Sequence, residues 1–175
     1  MRYLITGMGG SGKTTTIQTL AAQGFSAVDI EDLPANQYCK WIDARTGEVA
    51  FYHTGVGSRW LKEHCWIWEL GRLQQYIEKH EDDPFFFAGY GTNQEQLYDT
   101  FDKIFLLEIE PFVLYERLLT RQQRNAFAAT PEEAEYILSW YQDWQKSTKA
   151  KGAIPISADQ PAEVVCRQIL EHIAV

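Results

Sequence analysis

Residues 7–16 read GMGGSGKTTT, and Gly7, Gly12, Lys13 and Thr14 fall at the offsets of G-x-x-x-x-G-K-[ST] without a mismatch. Such a run holds a chain of phosphates. Glycines let backbone N–H groups turn inward around phosphate oxygens with no side chain in the way, and a helix N-terminus adds its dipole and its unpaired donors. Gly9, Gly10, Ser11, Gly12, Lys13, Thr14 and Thr15 would form the cradle. Lys13 would reach the β- and γ-phosphates, and the Thr14 hydroxyl would bind Mg²⁺. The flanks agree: residues 3–6 read as a short buried strand, and residues 13–22 as a helix with Ile17, Leu20 and Ala21 on one face.

The nearest acids lie in AVDIEDLP, at the end of a second expected strand over 26–30. Asp29 and Glu31 alternate and are expected on the same face of that strand, with Asp32 following. Ligands of open parallel sheets bind at the carboxyl ends of the strands, beside the phosphate loop. There Asp29 would join Thr14 at the metal, while Glu31 or Asp32 would orient an acceptor hydroxyl or take its proton. The same run also reads as a polar turn into Pro34. In YERLLTRQQRN, Arg117 and Arg121 stand four apart on one helical face and Arg124 begins the exit. Guanidinium groups stabilise charge on a transferred phosphoryl group, although cations also suit a helix end. Arg117 and Arg124 are the favoured pair.

Residues 59–72, RWLKEHCWIWELGR, are expected within one helix over 59–80, which would put Trp60, His64 and Trp68 on one face. Those rings could stack on a planar acceptor with Arg59 or Arg72 on an anionic group, or simply pack as core. His64 reads more readily as a hydrogen-bonded histidine than as a base. Asn93 would either meet substrate or cap a helix. No asparagine context (NQYC, NQEQ, NAFA) fits the guanine-reading N-K-x-D, and the apolar strand PFFFAGYG ends without the carboxylate of a motor ATPase.

Positioning these residues requires a sheet. Strand candidates at 2–6, 26–30, 84–88, 103–108 and 153–157 alternate with helical patterns at 13–22, 59–80, 111–122, 131–148 and 161–173. This alternation implies a parallel sheet with helices on both faces. Thr130, Pro131 and Glu133 supply an N-cap, a first-turn proline and a capping-box glutamate, and Pro111 and Pro161 stand where helices should begin. CKWIDARTGEVAFYH reads as a hairpin turning at Thr46-Gly47. At 175 residues with 45% hydrophobic and 14% aromatic content, the chain suits one globular domain. A net charge of −8 argues against broad nucleic-acid binding. Three unclustered cysteines suggest neither a disulfide framework nor a zinc site. With no signal-like segment and no apolar run of spanning length, the expectation is a cytoplasmic protein without a membrane partner.

The order of parts resembles the small α/β kinases of the adenylate kinase and shikimate kinase superfamily. Segments FFFAGYGTNQEQLYDTFDKIFLLEIEP, ERLLTRQQRNAF and TPEEAEYIL are more closely similar to bacterial AAA-type P-loop ATP-binding proteins labelled kinase-like. The resemblance implies an α/β P-loop three-layer sandwich over 1–175, with a five-stranded parallel sheet in order 2-3-1-4-5. It also implies a substrate-binding insertion at about 33–80 and a lid at about 122–130. By the same resemblance Arg117 would pack on adenine, Arg124 would meet the phosphates, and the loop from Ser157 to Pro161 would border the base. Two departures stand out. Tyr52 occupies the place of the arginine that pairs with shikimate, and Ala88-Gly89-Tyr90-Gly91 replaces three consecutive glycines. Shikimate is therefore not the expected substrate. The expected activity is ATP- and Mg²⁺-dependent phosphoryl transfer to a small acceptor such as a nucleoside, nucleotide or related metabolite. The alternatives are a P-loop ATPase driving a partner protein and a nucleotide-binding module without turnover.

Overall fold

The structure is a computed structural model that describes residues 1–34, 37–80, 82–120 and 126–173. From the N-terminus, β1 (Arg2–Thr6) leads through the glycine loop into α1 (Lys13–Ala22) and β2 (Ser26–Asp29). The chain then builds β3 (Cys39–Asp43), β4 (Val49–Ala50), α2 (Gly57–Glu63) and β5 (His64–Trp68), and α3 (Leu70–Glu78) returns it to β6 (Phe85–Ala88). β7 (Lys103–Glu108), α4 (Pro111–Thr120), α5 (Pro131–Ala150), β8 (Ile154–Ser157) and α6 (Ala162–Ile173) complete it.

Short apolar strands separated by helices satisfy their backbone polar groups by pairing in parallel. Here they form a five-stranded sheet in the order β2-β6-β1-β7-β8, which is 2-3-1-4-5 when the parallel strands alone are counted. Ala88 is level with both Ile5 and Asp29, so β1, β2 and β6 end together beside the glycine loop. Strand alternation divides the core. Tyr3, Ile5, Phe86 and Phe105 pack under Ile17, Leu20 and Ile169 of α1 and α6. Leu4, Phe85, Phe87 and Leu106 pack against Leu73 and Ile77 of α3. On α1 the buried face is Thr16, Ile17 and Leu20, and Ala21 is exposed.

A second sheet, antiparallel in order β4-β3-β5, stands apart from the first. Its hairpin turns where expected. Asp43 Oδ1 accepts from the N–H groups of Arg45 and Thr46, and Gly47 takes a φ of 75° that a β-carbon would strain. The single helix expected over 59–80 does not form. α2 ends at Glu63, residues 64–68 are a strand, and α3 begins at Leu70. A Cys-Trp-Ile-Trp run suits a pleated, half-buried surface, and Cys39–Asp43 offers a complete ladder to pair with. The four-residue spacing of Trp60, His64 and Trp68 therefore marks no common helical face.

Candidate functional site

Gly10 and Gly12 both adopt positive φ, at 95° and 96°, and Gly12 caps α1 in the left-handed region. Only glycine takes such turns without strain, and they bring the start of α1 to a cavity of about 640 Å³. Gly9, Gly10, Gly12, Lys13, Thr14 and Thr15 line it. Ser11 lies behind them; its Oγ is buried with no hydrogen-bond partner, and a β-carbon on Gly7 would collide with it. Lys13 is 6% exposed, and its ammonium donates to the carbonyls of Gly7 (2.8 Å) and Met8 (3.4 Å). A buried cation and a helix N-terminus make a donor set that fits a phosphate chain.

β2 ends one residue earlier than expected, and this separates the acids. Ile30–Asp32 is a 3₁₀ turn capped by Asp29 itself, whose Oδ1 accepts from the Glu31 N–H at 3.0 Å. Asp29 is buried, and its Oδ2 accepts from Thr14 Oγ1 at 2.7 Å. The two residues expected at Mg²⁺ are therefore in contact, and a hydroxyl beside a carboxylate fits a hard cation that keeps most of its waters. Glu31 is not on a shared strand face with Asp29; it is exposed on the turn and lines the cavity. Asp32 is exposed and does not line it.

Arg117, on α4, lines the cavity and donates to Gly10 O (3.5 Å) and Ala158 O (3.2 Å), tying the glycine loop to the loop after β8. Ser157 and Pro161 flank that junction but are exposed and do not line the cavity. Arg121 and Arg124 lie outside the described residues.

The far end of the cavity is aromatic. Trp41, Tyr52, Trp66, Tyr90 and Phe127 line it. Trp41 of β3 sits directly opposite Trp66 of β5, so the two indoles share one face of the small sheet, 5.5 Å apart. Tyr52 stacks on Trp41 at 5.7 Å, and Phe127 reaches both rings. The same sheet face anchors to the core through Trp68. Its indole donates to Tyr90 O at 2.9 Å, and a β-carbon on Gly91 would stand 2.7 Å from the ring. Asn93 neither meets the cavity nor caps by its side chain. Its amide pairs with the backbone N–H and C=O of Trp68.

Tyr52 also joins this wall to the chain after residue 125. Its hydroxyl lies 3.3 Å from Ala126 O and 3.5 Å from Glu133 Oε2, and it accepts the Ala128 N–H at 3.0 Å. Burial raises the Tyr52 pKa, the Ala128 N–H opposes the shift and the Glu133 charge adds to it. Thr130 caps α5 as expected, but the Glu133 carboxylate, fully buried, receives the N–H groups of Gly55 (3.1 Å) and Gly57 (3.2 Å).

Sequence reasoning had not singled out Trp41, Phe127, Tyr90 or the Glu133 clasp. Alternation in CKWID, matched against HCWIW, was the available signal for the Trp41–Trp66 pair. Arg59 pairs with Glu63 on the surface, and neither it nor Arg72 lines the cavity. His64 stacks on Trp60 at 4.0 Å with its Nδ1 2.8 Å from Trp60 O, a hydrogen-bonded histidine away from the cavity. Among the described residues, no helix is long and apolar enough to cross a membrane.

A family model described as an AAA domain matches residues 4–138. No curated protein sequence matches the chain. Solved structures do. The deoxyadenosine kinase of M. mycoides with bound dATP aligns over 100% of both chains at 12% identity and a TM-score of 0.56. The shikimate kinase of Acinetobacter baumannii in complex with shikimate aligns over 98% of this chain and 92% of its own, at 14% identity and a TM-score of 0.61. A gluconokinase of Sinorhizobium meliloti 1021 aligns over 99% and 91%, at 15% identity and a TM-score of 0.58. At such identities the likeness is one of fold: a P-loop kinase-like α/β sandwich.

Proposed function

The chain belongs to the AAA-domain family, and from that premise we propose that it is an ATP- and Mg²⁺-dependent kinase of a small-molecule acceptor in the cytoplasm. One observation carries the reading: the glycine loop, Glu31 and the aromatic wall line a single cavity of about 640 Å³. A hydrolase or a plain nucleotide-binding module needs the phosphate end and room for one nucleoside. The aromatic end, built from a separate small sheet, is room for a second substrate. That the similar solved structures are of kinases supports it.

In this reading residues 1–175 form one kinase-like domain, with acceptor contacts from about 33–80 and a lid at about 122–130. The glycine loop and Lys13 hold the β- and γ-phosphates of ATP, and Thr14 with Asp29 holds the metal. Mg²⁺, when bound, supplies charge neutralisation at the phosphate oxygens. Glu31 accepts the proton of the acceptor hydroxyl as that oxygen bonds to the γ-phosphorus. The bond from γ-phosphorus to the bridging oxygen breaks, and ADP leaves with the electron pair. Arg117 and Arg124 take up negative charge on the transferred group.

The test is ADP release by the full chain across a metabolite panel, with and without each candidate acceptor, beside the Lys13→Ala variant. The expected result is acceptor-dependent release that Lys13→Ala lowers by about 10²-fold or more. ATP hydrolysis stimulated only by a protein, or binding without turnover, overturns the kinase reading.

A further inference from the structure

The cavity is sharply divided by chemistry. Its cations among the described residues, Lys13 and Arg117, both stand at the glycine loop, and its one carboxylate there is Glu31. The other end presents rings. Trp41, Tyr52, Trp66 and Phe127 are each half-buried, so each is held by its neighbours and still shows a face. The Tyr52 hydroxyl is already engaged by the backbone and Glu133, and it offers a ring rather than a polar group. The two arginines on the small sheet's helices that could have met an anion, Arg59 and Arg72, are exposed away from the cavity.

A desolvated anion needs a paired cation, and without one it binds poorly. Planar rings gain from stacking on aromatic faces. Glu31 adds repulsion toward any acceptor carrying a carboxylate or phosphate near its reacting hydroxyl. We propose that the acceptor is an uncharged planar-ring compound bearing a hydroxyl, gripped by Trp41, Tyr52, Trp66 and Phe127, and that the site discriminates against anionic acceptors. This rests on the kinase reading for its role but not for its binding chemistry. In the reaction the ring stays unchanged and only its hydroxyl oxygen gains the phosphoryl group.

The experiment separates the two. With the donor site filled by saturating Mg²⁺ and a non-hydrolysable ATP analogue, tryptophan fluorescence of the full chain is titrated with adenosine, cytidine, uridine and thymidine. The same titration is run with their 5′-monophosphates, shikimate and gluconate. At least one neutral ring compound is expected to bind tenfold or more tightly than its monophosphate. Trp41→Leu and Trp66→Leu are each expected to weaken it by about three- to tenfold while leaving affinity for the ATP analogue unchanged, which also shows that the variants fold. Tighter binding of monophosphates, binding of shikimate or gluconate alone, or binding of no ring compound overturns the inference. ADP release with an anionic acceptor keeps the kinase reading and overturns this one. Neutral-ring binding without ADP release keeps this one and overturns the kinase reading.

Discussion

Thr14 and Asp29 touch at 2.7 Å, and Asp29 is fixed further by the Glu31 N–H. A carboxylate 1% exposed and held at both oxygens cannot swing aside, so its charge is committed to the mouth of α1. Asp29→Asn keeps the shape and removes the charge. It is expected to raise the Mg²⁺ concentration needed for half-maximal turnover and to lower turnover by about 10²-fold if proton transfer is also disturbed, as read from metal titrations of ADP release. Glu31→Gln is expected to lower acceptor-dependent turnover by about 10²-fold or more with ATP affinity retained. Asp32→Asn is expected to match the parent, because Asp32 does not line the cavity. The nearness of Asp29 to Thr14 was legible because a strand end beside a glycine loop leaves little freedom. The split between Glu31 and Asp32 was not, since it turns on β2 ending at Asp29 and the chain tightening into a 3₁₀ turn.

At the scale of elements, the small sheet is held on two sides. Trp68 fastens it to the core through the Tyr90 carbonyl and the Asn93 amide, and the segment 52–57 fastens it to α5 through Glu133. Gly91→Ala places a methyl 2.7–2.9 Å from the Trp68 indole. Overpacking of this kind is expected to cost about 1–3 kcal/mol, visible as a lower denaturation midpoint. Glu133→Ala removes the carboxylate that receives the N–H groups of Gly55 and Gly57, at about 1 kcal/mol for each hydrogen bond because water can replace part of the contact, and is expected to raise the acceptor KM more than the ATP KM. Local signals made several elements readable. Pro111 opens α4, Pro131 opens α5 behind its Thr130 cap, and Asp43 and Gly47 shape the hairpin. Residues 64–68 were not readable, because whether HCWIW extends a helix or becomes a strand is decided by a partner, Cys39–Asp43, that lies from 21 residues away (Asp43–His64) to 29 residues away (Cys39–Trp68) in the chain. The capping-box glutamate was legible as a helix start but not as a clasp, since its acceptors' partners come from the hairpin's far side.

Across the whole molecule, burial sorts the three thiols. Cys39 is raised to about 12 by burial, with Glu31 and Asp29 adding to it, and Cys166 to about 11 by burial and Glu163. Cys65 is partly exposed on β5. Since the thiolate is the nucleophile, iodoacetamide at pH 8 is expected to modify Cys65 in the folded protein and to reach Cys39 and Cys166 only after denaturation, as followed by peptide mass. Equal labelling of all three in the folded state would contradict the packing of β3 and α6. The parallel sheet itself was legible from the alternation of elements; the small antiparallel sheet, which supplies the aromatic wall, required pairings that no local pattern specifies.

The chain departs from the large sheet at Asp29 and re-enters it at Phe85, in strands that are hydrogen-bonded neighbours. An excursion whose ends are both fastened to paired strands can change length at little entropic cost, because closure entropy grows only with the logarithm of loop length. In the proposed kinase, the portion that would recognise the acceptor is thus an exchangeable cartridge in a fixed socket. On that proposal, insertions, deletions or recombination between those two junctions would rewrite which molecule is recognised while β1, the glycine loop and α1 keep the donor chemistry. Homologues that retain GMGGSGKTTT are accordingly expected to diverge most between residues 33 and 84.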